Sequence, residues 1–186
     1  GADYWACAGE GGLCGYKLAG GKLTRAFGPV TVNSPARDLA YTLQWVGDRL
    51  LVAGGVNDDV AYPPTARTYE AGRWTNFTEM TPPDDRPGMR LMGTTSLAQD
   101  PADATHHFAS IYRTGLCEYR DGKAVKLYDA DNSTLTSILP TSPLYYNFVS
   151  CSGARYDADG NLWVLQSMCP DVPHFLSPDG KWHALQ

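Results

Sequence analysis

The feature that most constrains this chain is an internal repeat of turn-closed strand pairs. The glycines Gly21, Gly72, Gly122 and Gly180 each sit in a tight turn between two strand-like runs, at spacings of 51, 50 and 58 residues. The flanks read Leu13-Cys14-Gly15-Tyr16 before Gly21-Lys22-Leu23, then Arg67-Thr68-Tyr69-Glu70-Ala71-Gly72-Arg73-Trp74. They recur as Gly115-Leu116-Cys117-Glu118-Tyr119-Arg120-Asp121-Gly122-Lys123 and as Phe175-Leu176-Ser177-Pro178-Asp179-Gly180-Lys181-Trp182. Glycine accepts the positive φ that tight hairpin turns demand. A second hairpin precedes three of these: Tyr41–Val46 returning through Leu50–Ala53, Thr94–Gln99 returning through His107–Ser110, and Ser150–Tyr156 returning through Asn161–Val164. Each full unit therefore holds four antiparallel strands in about 50 to 58 residues, the signature of a β-propeller blade.

The expected fold class is all-β, built of four-stranded antiparallel propeller blades. The expected organisation is a single partial propeller over residues 1–186, with blades at 1–33, 37–79, 92–129 and 148–186. The first strand of each unit is rich in small or β-branched residues (Thr42, Thr94, Thr95, Ser96, Ser150, Ser152, Gly153), which suits a crowded strand near a propeller axis. Unit one begins at Tyr4-Trp5-Ala6-Cys7, which matches a second strand, so it is expected to be incomplete. Unpaired blade edges invite pairing, and the expectation is a piece of a longer propeller or self-association with another copy. The 19 glycines, 13 prolines and 19% charged residues agree with a turn-rich β-protein rather than a helical one.

The formal charge of −5 and the absence of Lys/Arg runs argue against a nucleic-acid partner. No apolar stretch approaches the roughly 20 residues of a membrane helix. The five cysteines, Cys7, Cys14, Cys117, Cys151 and Cys169, contain no C-x-x-C pair, which disfavours zinc. Cys7 and Cys14 flank Ala8–Leu13, and a hairpin there would set them opposite each other as a candidate disulfide. Cys151 and Cys169 stand almost symmetrically about Asp159-Gly160. Bridges would imply an oxidising compartment; the alternative is five buried thiols.

The stretch Gln99-Asp100-Pro101, His106-His107-Phe108, Tyr112, Gly115-Leu116-Cys117-Glu118-Tyr119 and Gly122-Lys123, continued by Asn132-Ser133-Thr134-Leu135 and Tyr156–Val164, resembles two-component-regulator propeller repeats. Within these it is similar to the PorZ-like propellers of the Por secretion system. The resemblance is best over residues 92–167. It implies an extracytoplasmic protein, periplasmic or at the cell surface, that senses or binds a ligand, often a glycan, or serves secretion. It does not imply an enzyme.

Candidate chemistry is sparse. Asp157-Ala158-Asp159-Gly160-Asn161 has the oxygens that open a calcium loop, but Leu162 and Met168 stand where an EF-hand needs Gly and Glu. Asp129-Ala130-Asp131-Asn132-Ser133 fails in the same way. Gly160 and Trp163 fit the sialidase Asp-box, Ser-x-Asp-x-Gly-x-x-Trp, but its Asp position holds Ala158. His106 and His107 are adjacent, so on a strand they face opposite sides; His174 and His183 have no ligand spacing around them. Gly9-Glu10-Gly11-Gly12 precedes no helix that would bind phosphate. Asp84 and Asp85 are neighbours on a Pro-rich loop, and no Gly-x-Ser-x-Gly elbow exists. No catalytic residue, metal site or cofactor is expected.

The one functional hint is loop length. Loops between the second and third strands, and between blades, are longer than the others and would share one end of the blades. They carry Asn57, Asp58, Asp59, Tyr62, Arg86, Arg90, Arg113, Tyr145, Tyr146 and Asn147. Function concentrates on loops held by a rigid scaffold, and this set suits stacking on and hydrogen bonding to a sugar or peptide. The sequence thus favours a non-catalytic bacterial envelope or exported propeller that binds a glycan or protein partner. The alternative is a lactonase-like or lyase-like propeller enzyme whose site lies partly in further blades.

Overall fold

A computed structural model describes residues 1–7, 12–55, 64–78, 91–142, 148–169 and 172–185. Contacts group the chain into two compact units, Gly1–Ser34 and Pro35–Gln186.

The first unit is a three-stranded antiparallel sheet in the order β1 (Tyr4–Cys7), β2 (Leu13–Ala19), β3 (Lys22–Val30). Its β2–β3 turn places both Gly20 and Gly21 at positive φ, the pattern whose twist matches that of the flanking strands. Trp5 packs edge-on against Phe27 at 4.9 Å. Register decides the fate of the expected disulfide. Cys7 pairs with Leu13, and Cys14 pairs with Ala6. The two thiols are therefore one residue out of register and point to opposite faces. Cys7 is exposed, Cys14 is buried, and both are free.

The second unit holds three four-stranded antiparallel sheets, each a meander that meets the expectation of propeller blades. Blade two is β4 (Thr42–Val46), β5 (Arg49–Gly54), β6 (Thr65–Glu70) and β7 (Arg73–Asn76). Blade three is β8 (Met92–Gln99), β9 (His106–Tyr112), β10 (Gly115–Arg120) and β11 (Lys123–Tyr128). Blade four is β12 (Cys151–Tyr156), β13 (Leu162–Gln166), β14 (His174–Leu176) and β15 (Trp182–Ala184). The repeating turn glycines Gly72, Gly122 and Gly180 have φ of 79°, 70° and 80°.

Blades stack face to face. Leu51, Ala53 and Ala66 of blade two meet Leu97, Ala109, Ile111, Cys117 and Tyr119 of blade three. The other face of blade three, through Ala98, Phe108, Leu116 and Tyr128, meets Cys151, Ala154, Leu162 and Val164 of blade four. The small hydroxyl residues of the first strands join the blades at the hub. Thr42 Oγ1 donates to the Thr95 carbonyl at 3.0 Å, Thr95 Oγ1 donates to the Cys151 carbonyl at 2.9 Å, and Ala154 N–H donates to Ser96 Oγ at 3.0 Å. Larger side chains there would hold these strands apart, which is the physical reason for their composition.

Candidate functional site

Eight of the nine residues expected to bind a ligand, Asn57, Asp59, Tyr62, Arg86, Arg90, Tyr145, Tyr146 and Asn147, lie outside the described residues, as does Asp58. The ninth, Arg113, is described, and its setting corrects one expectation. In blade three the second and third strands are joined by Arg113 and Thr114 alone rather than by a long loop. Longer connections hold in blades two and four, between Gly54 and Thr65 and between Gln166 and His174.

That tight corner makes Arg113 unusual. Its backbone is left-handed, at φ 70°, a region costly to residues with a Cβ. Gly115, at φ 104°, follows it. An ideal Cβ at Gly115 would stand 2.1 Å from the Tyr128 carbonyl oxygen, so only glycine lets the chain turn there. The Arg113 carbonyl accepts a hydrogen bond from Val149 N–H at 3.1 Å, and Thr114 forms a parallel bridge with Val149. The guanidinium carbon lies 5.0 Å from the Tyr112 ring centre and 5.2 Å from that of Phe148, within cation–π range of both. Arg113 Nε and Thr114 Oγ1 are buried and have no hydrogen-bond partner among the described residues. Buried donors are normally satisfied, and unsatisfied ones beside a strained backbone point to a site that is completed by something else.

Tyr112, Phe148 and Thr114 are the members of this corner that loop length did not reveal. Tyr112 closes a strand, and Phe148 sits at the far end of an inter-blade connection. Their convergence on Arg113 depends on the Thr114–Val149 bridge.

A second charged cluster lies on the face of blade three toward blade four. His106 Nδ1 is 2.9 Å from Asp100 Oδ2, and Nε2 is 3.0 Å from Glu118 Oε1. Tyr128 donates to Glu118 Oε2 at 3.0 Å, and an Arg120 nitrogen is 3.3 Å from Glu118 Oε1. These bonds tie the β8–β9 turn to β10. His107, on the opposite side, is buried against Phe77, ring centres 4.8 Å apart. Burial holds its imidazole down to about 4. Buried Arg67 in blade two reaches the Leu39 carbonyl and Thr65 Oγ1. Burial lowers its guanidinium from the ordinary value, and Asp38 partly offsets this.

The calcium-like segment is a turn. Asp157 accepts backbone N–H bonds from Asp159 and Asn161, the Asn161 amide, and the Trp163 indole N–H at 2.6 Å. These donors hold its carboxyl at about 2, the Trp163 bond contributing most. The residue one place before the Asp-box position thus does the bracing expected of such a box. Around Asp129 the chain also turns on itself: Asp129 Oδ1 accepts from Asp131 N–H, Asp129 N–H donates to Asn132 Oδ1, and the Asn132 amide donates to the Leu127 carbonyl. Among the described residues, no three His, Cys, Asp or Glu side chains are placed to hold a metal ion.

Among solved structures, the chain is similar to PorZ, described as an essential bacterial surface component of the type-IX secretion system of human oral-microbiomic Porphyromonas gingivalis. The TM-score is 0.74 at 23% identity, over 98% of this chain. The fold is PorZ-like. The chain spans 24% of the length of that PorZ chain. No protein-family profile and no curated protein matches the sequence.

Proposed function

We propose that this chain is a non-catalytic propeller segment of a bacterial envelope or exported protein, serving secretion, and that it recognises a glycan or protein partner at the loop-bearing end of its blades. The observation that carries this reading is the Arg113 corner. A guanidinium lies within cation–π range of two aromatic rings, its buried Nε and the neighbouring Thr114 hydroxyl have no partner among the described residues, and its left-handed backbone would suit glycine better. The likeness to PorZ supports the surface and secretion setting. The sequence offers Asn57, Asp59, Tyr62, Arg86, Arg90, Tyr145, Tyr146 and Asn147 as further candidates for binding the same partner.

The test is Arg113→Gly on a glycan microarray, with protein stability measured in parallel. Glycine removes the guanidinium and the left-handed strain together. Binding should fall at least tenfold, while the melting temperature holds or rises. Unchanged binding, or an array without signal for the native chain, would remove the glycan reading. A variant that melts well below the native chain would make Arg113 a structural residue.

A specific observation also favours self-association. On one face blade two carries the cross-strand row Trp45, Leu50, Tyr69 and Trp74, where Leu43 and Trp45 are each 63% exposed and the other three are half-buried. Blade four presents the row Arg155, Trp163, Phe175 and His183 on its outward face. Both are sheet faces of the kind that stack on a neighbouring blade elsewhere in this unit, and a second copy would supply one. Sedimentation at a single-chain mass across concentration would argue against it.

A further inference from the structure

The geometry points to a disulfide between Cys151 and Cys169 that closes the hub end of blade four. Cys151 lies on β12 directly opposite Gln166 of β13, so their side chains share a face. That face is the buried one, where Cys151 packs with Leu135, Val149 and Val164. Gln166 holds the inter-blade segment at Thr136 with both ends of its amide: Nε2 donates to the Thr136 carbonyl at 2.9 Å, and Oε1 accepts from Thr136 N–H at 2.8 Å. The chain leaves β13 through Ser167, whose N–H reaches the Ser150 carbonyl, and Met168, at φ 63°, turns it back. This return brings Cys169 Sγ to 3.7 Å from the same Thr136 carbonyl oxygen. Cys169 Sγ thus reaches the Thr136 carbonyl that Gln166 also holds, and Gln166 is the register partner of Cys151. Burial pushes the Cys151 thiol up, and nearby Cys169 adds to the shift.

The two thiols differ in access, and that sets the order of chemistry. Cys169 is partly exposed, whereas Cys151 is buried. A disulfide donor, such as oxidised glutathione or an oxidoreductase disulfide, is attacked first by the Cys169 thiolate. A Cys169–donor mixed disulfide forms and one donor thiolate leaves. The Cys151 thiolate then attacks the Cys169 sulfur and releases the second donor thiolate. The two cysteine protons end on the two released donor thiols, and the cysteines lose the two electrons that reduce the donor. The product fastens the segment after β13 to the hub strand β12. Disulfides persist in extracytoplasmic compartments, although the reaction can be tested in vitro independently of where the protein resides.

The experiment uses the full chain carrying Cys7→Ser, which removes the exposed thiol that would otherwise join copies. Folded protein is treated with oxidised glutathione and digested with trypsin without reduction. Cleavage after Lys126, Arg155 and Lys181 puts Cys151 on peptide 127–155 and Cys169 on peptide 156–181. The expected result is those two peptides joined, lighter by two hydrogens than their sum, with Cys14 and Cys117 still free. A further Cys151→Ser change should stop the reaction at glutathione on Cys169, and Cys169→Ser should leave Cys151 unreacted. Glutathione on Cys169 with Cys151 left reduced in the parent, or a link between any other pair, would overturn the assignment. The joined form should also melt several degrees higher than its reduced counterpart, a rise absent from Cys169→Ser.

Discussion

Blade three and the Gly1–Ser34 sheet are built from the same local parts and meet opposite surroundings. Both are antiparallel meanders closed by a two-residue turn with consecutive positive φ, at Asp121-Gly122 and at Gly20-Gly21. Yet β9 is buried at every residue but Tyr112, whereas β3 is exposed at every residue but Phe27. The turn conformation is shared by the two, so it does not separate a core sheet from an exposed one. The difference lies in face packing: blade three contributes Ile111, Tyr119 and Leu127 to one cluster and Phe108, Leu116 and Tyr128 to another. A sheet gains most of its stability from such burial rather than from its ladder.

Truncation tests this most strongly. Phe108 is 2% exposed and packs against His106, Tyr128 and Tyr156. Phe108→Ala should destabilise the Pro35–Gln186 unit by about 3–5 kcal/mol in urea unfolding, combining lost transfer energy and a cavity. Leu23→Ala, at a position 54% exposed, should change stability by no more than about 0.5 kcal/mol. Comparable losses at the two sites would break the comparison.

Acid sharpens it next. His107 titrates at about 4 in the fold against an ordinary 6.5, because burial disfavours its charged form. Its depressed value means that the unfolded chain binds the proton first. The stabilisation is complete above pH 6.5 and is lost as pH falls toward about 4, a change of about 3 kcal/mol. Residues 1–34 contain no histidine, so this window belongs to the second unit alone. Replacing His107 with Phe, which keeps a ring beside Phe77, should flatten stability between pH 6.5 and 4 relative to the native chain. An identical slope in the variant would assign the acid sensitivity to other groups.

Much of this was legible in the sequence because it is local. The turn glycines sit where their spacing set them, the His106–His107 alternation follows from strand geometry, and the small hydroxyls of β4, β8 and β12 mark the hub. What was not legible depends on register or on distant contacts. Cys7 and Cys14 flank a hairpin, but a slip of one residue turns their side chains to opposite faces, and no pattern in Ala8–Leu13 sets that slip. Arg113, which the sequence places on a long loop, occupies a two-residue corner. What makes it a candidate is Phe148, brought to it across thirty-odd intervening residues by the Thr114–Val149 bridge. The charged row of Asp100, His106 and Glu118 has no sequence signature, because its members lie on three successive stretches of one blade, with only the hairpin register to bring them together.

Turn substitutions give the smallest effects and ask whether the shared local parts really are equivalent. The first turn position is Gly20 in the exposed sheet, Ala71 in blade two and Asp121 in blade three, all at positive φ; the second is glycine in each. Valine at the second position should be penalised wherever it is placed: Gly122→Val adds a β-branched residue at φ 70° and a Cβ 3.3 Å from the Phe77 ring, for a loss of about 2 kcal/mol. At the first position the sign reverses. Ala71 holds a left-handed conformation at φ 48° that disfavours its methyl group by about 1–2 kcal/mol. Ala71→Gly relieves that strain but frees the unfolded chain by about 0.5–1 kcal/mol. The net expectation is a gain of about 0.5 kcal/mol, read as a small rise in melting temperature. A loss on Ala71→Gly would mean that the alanine side chain is held by packing, and that this turn is not the same device as Gly20-Gly21.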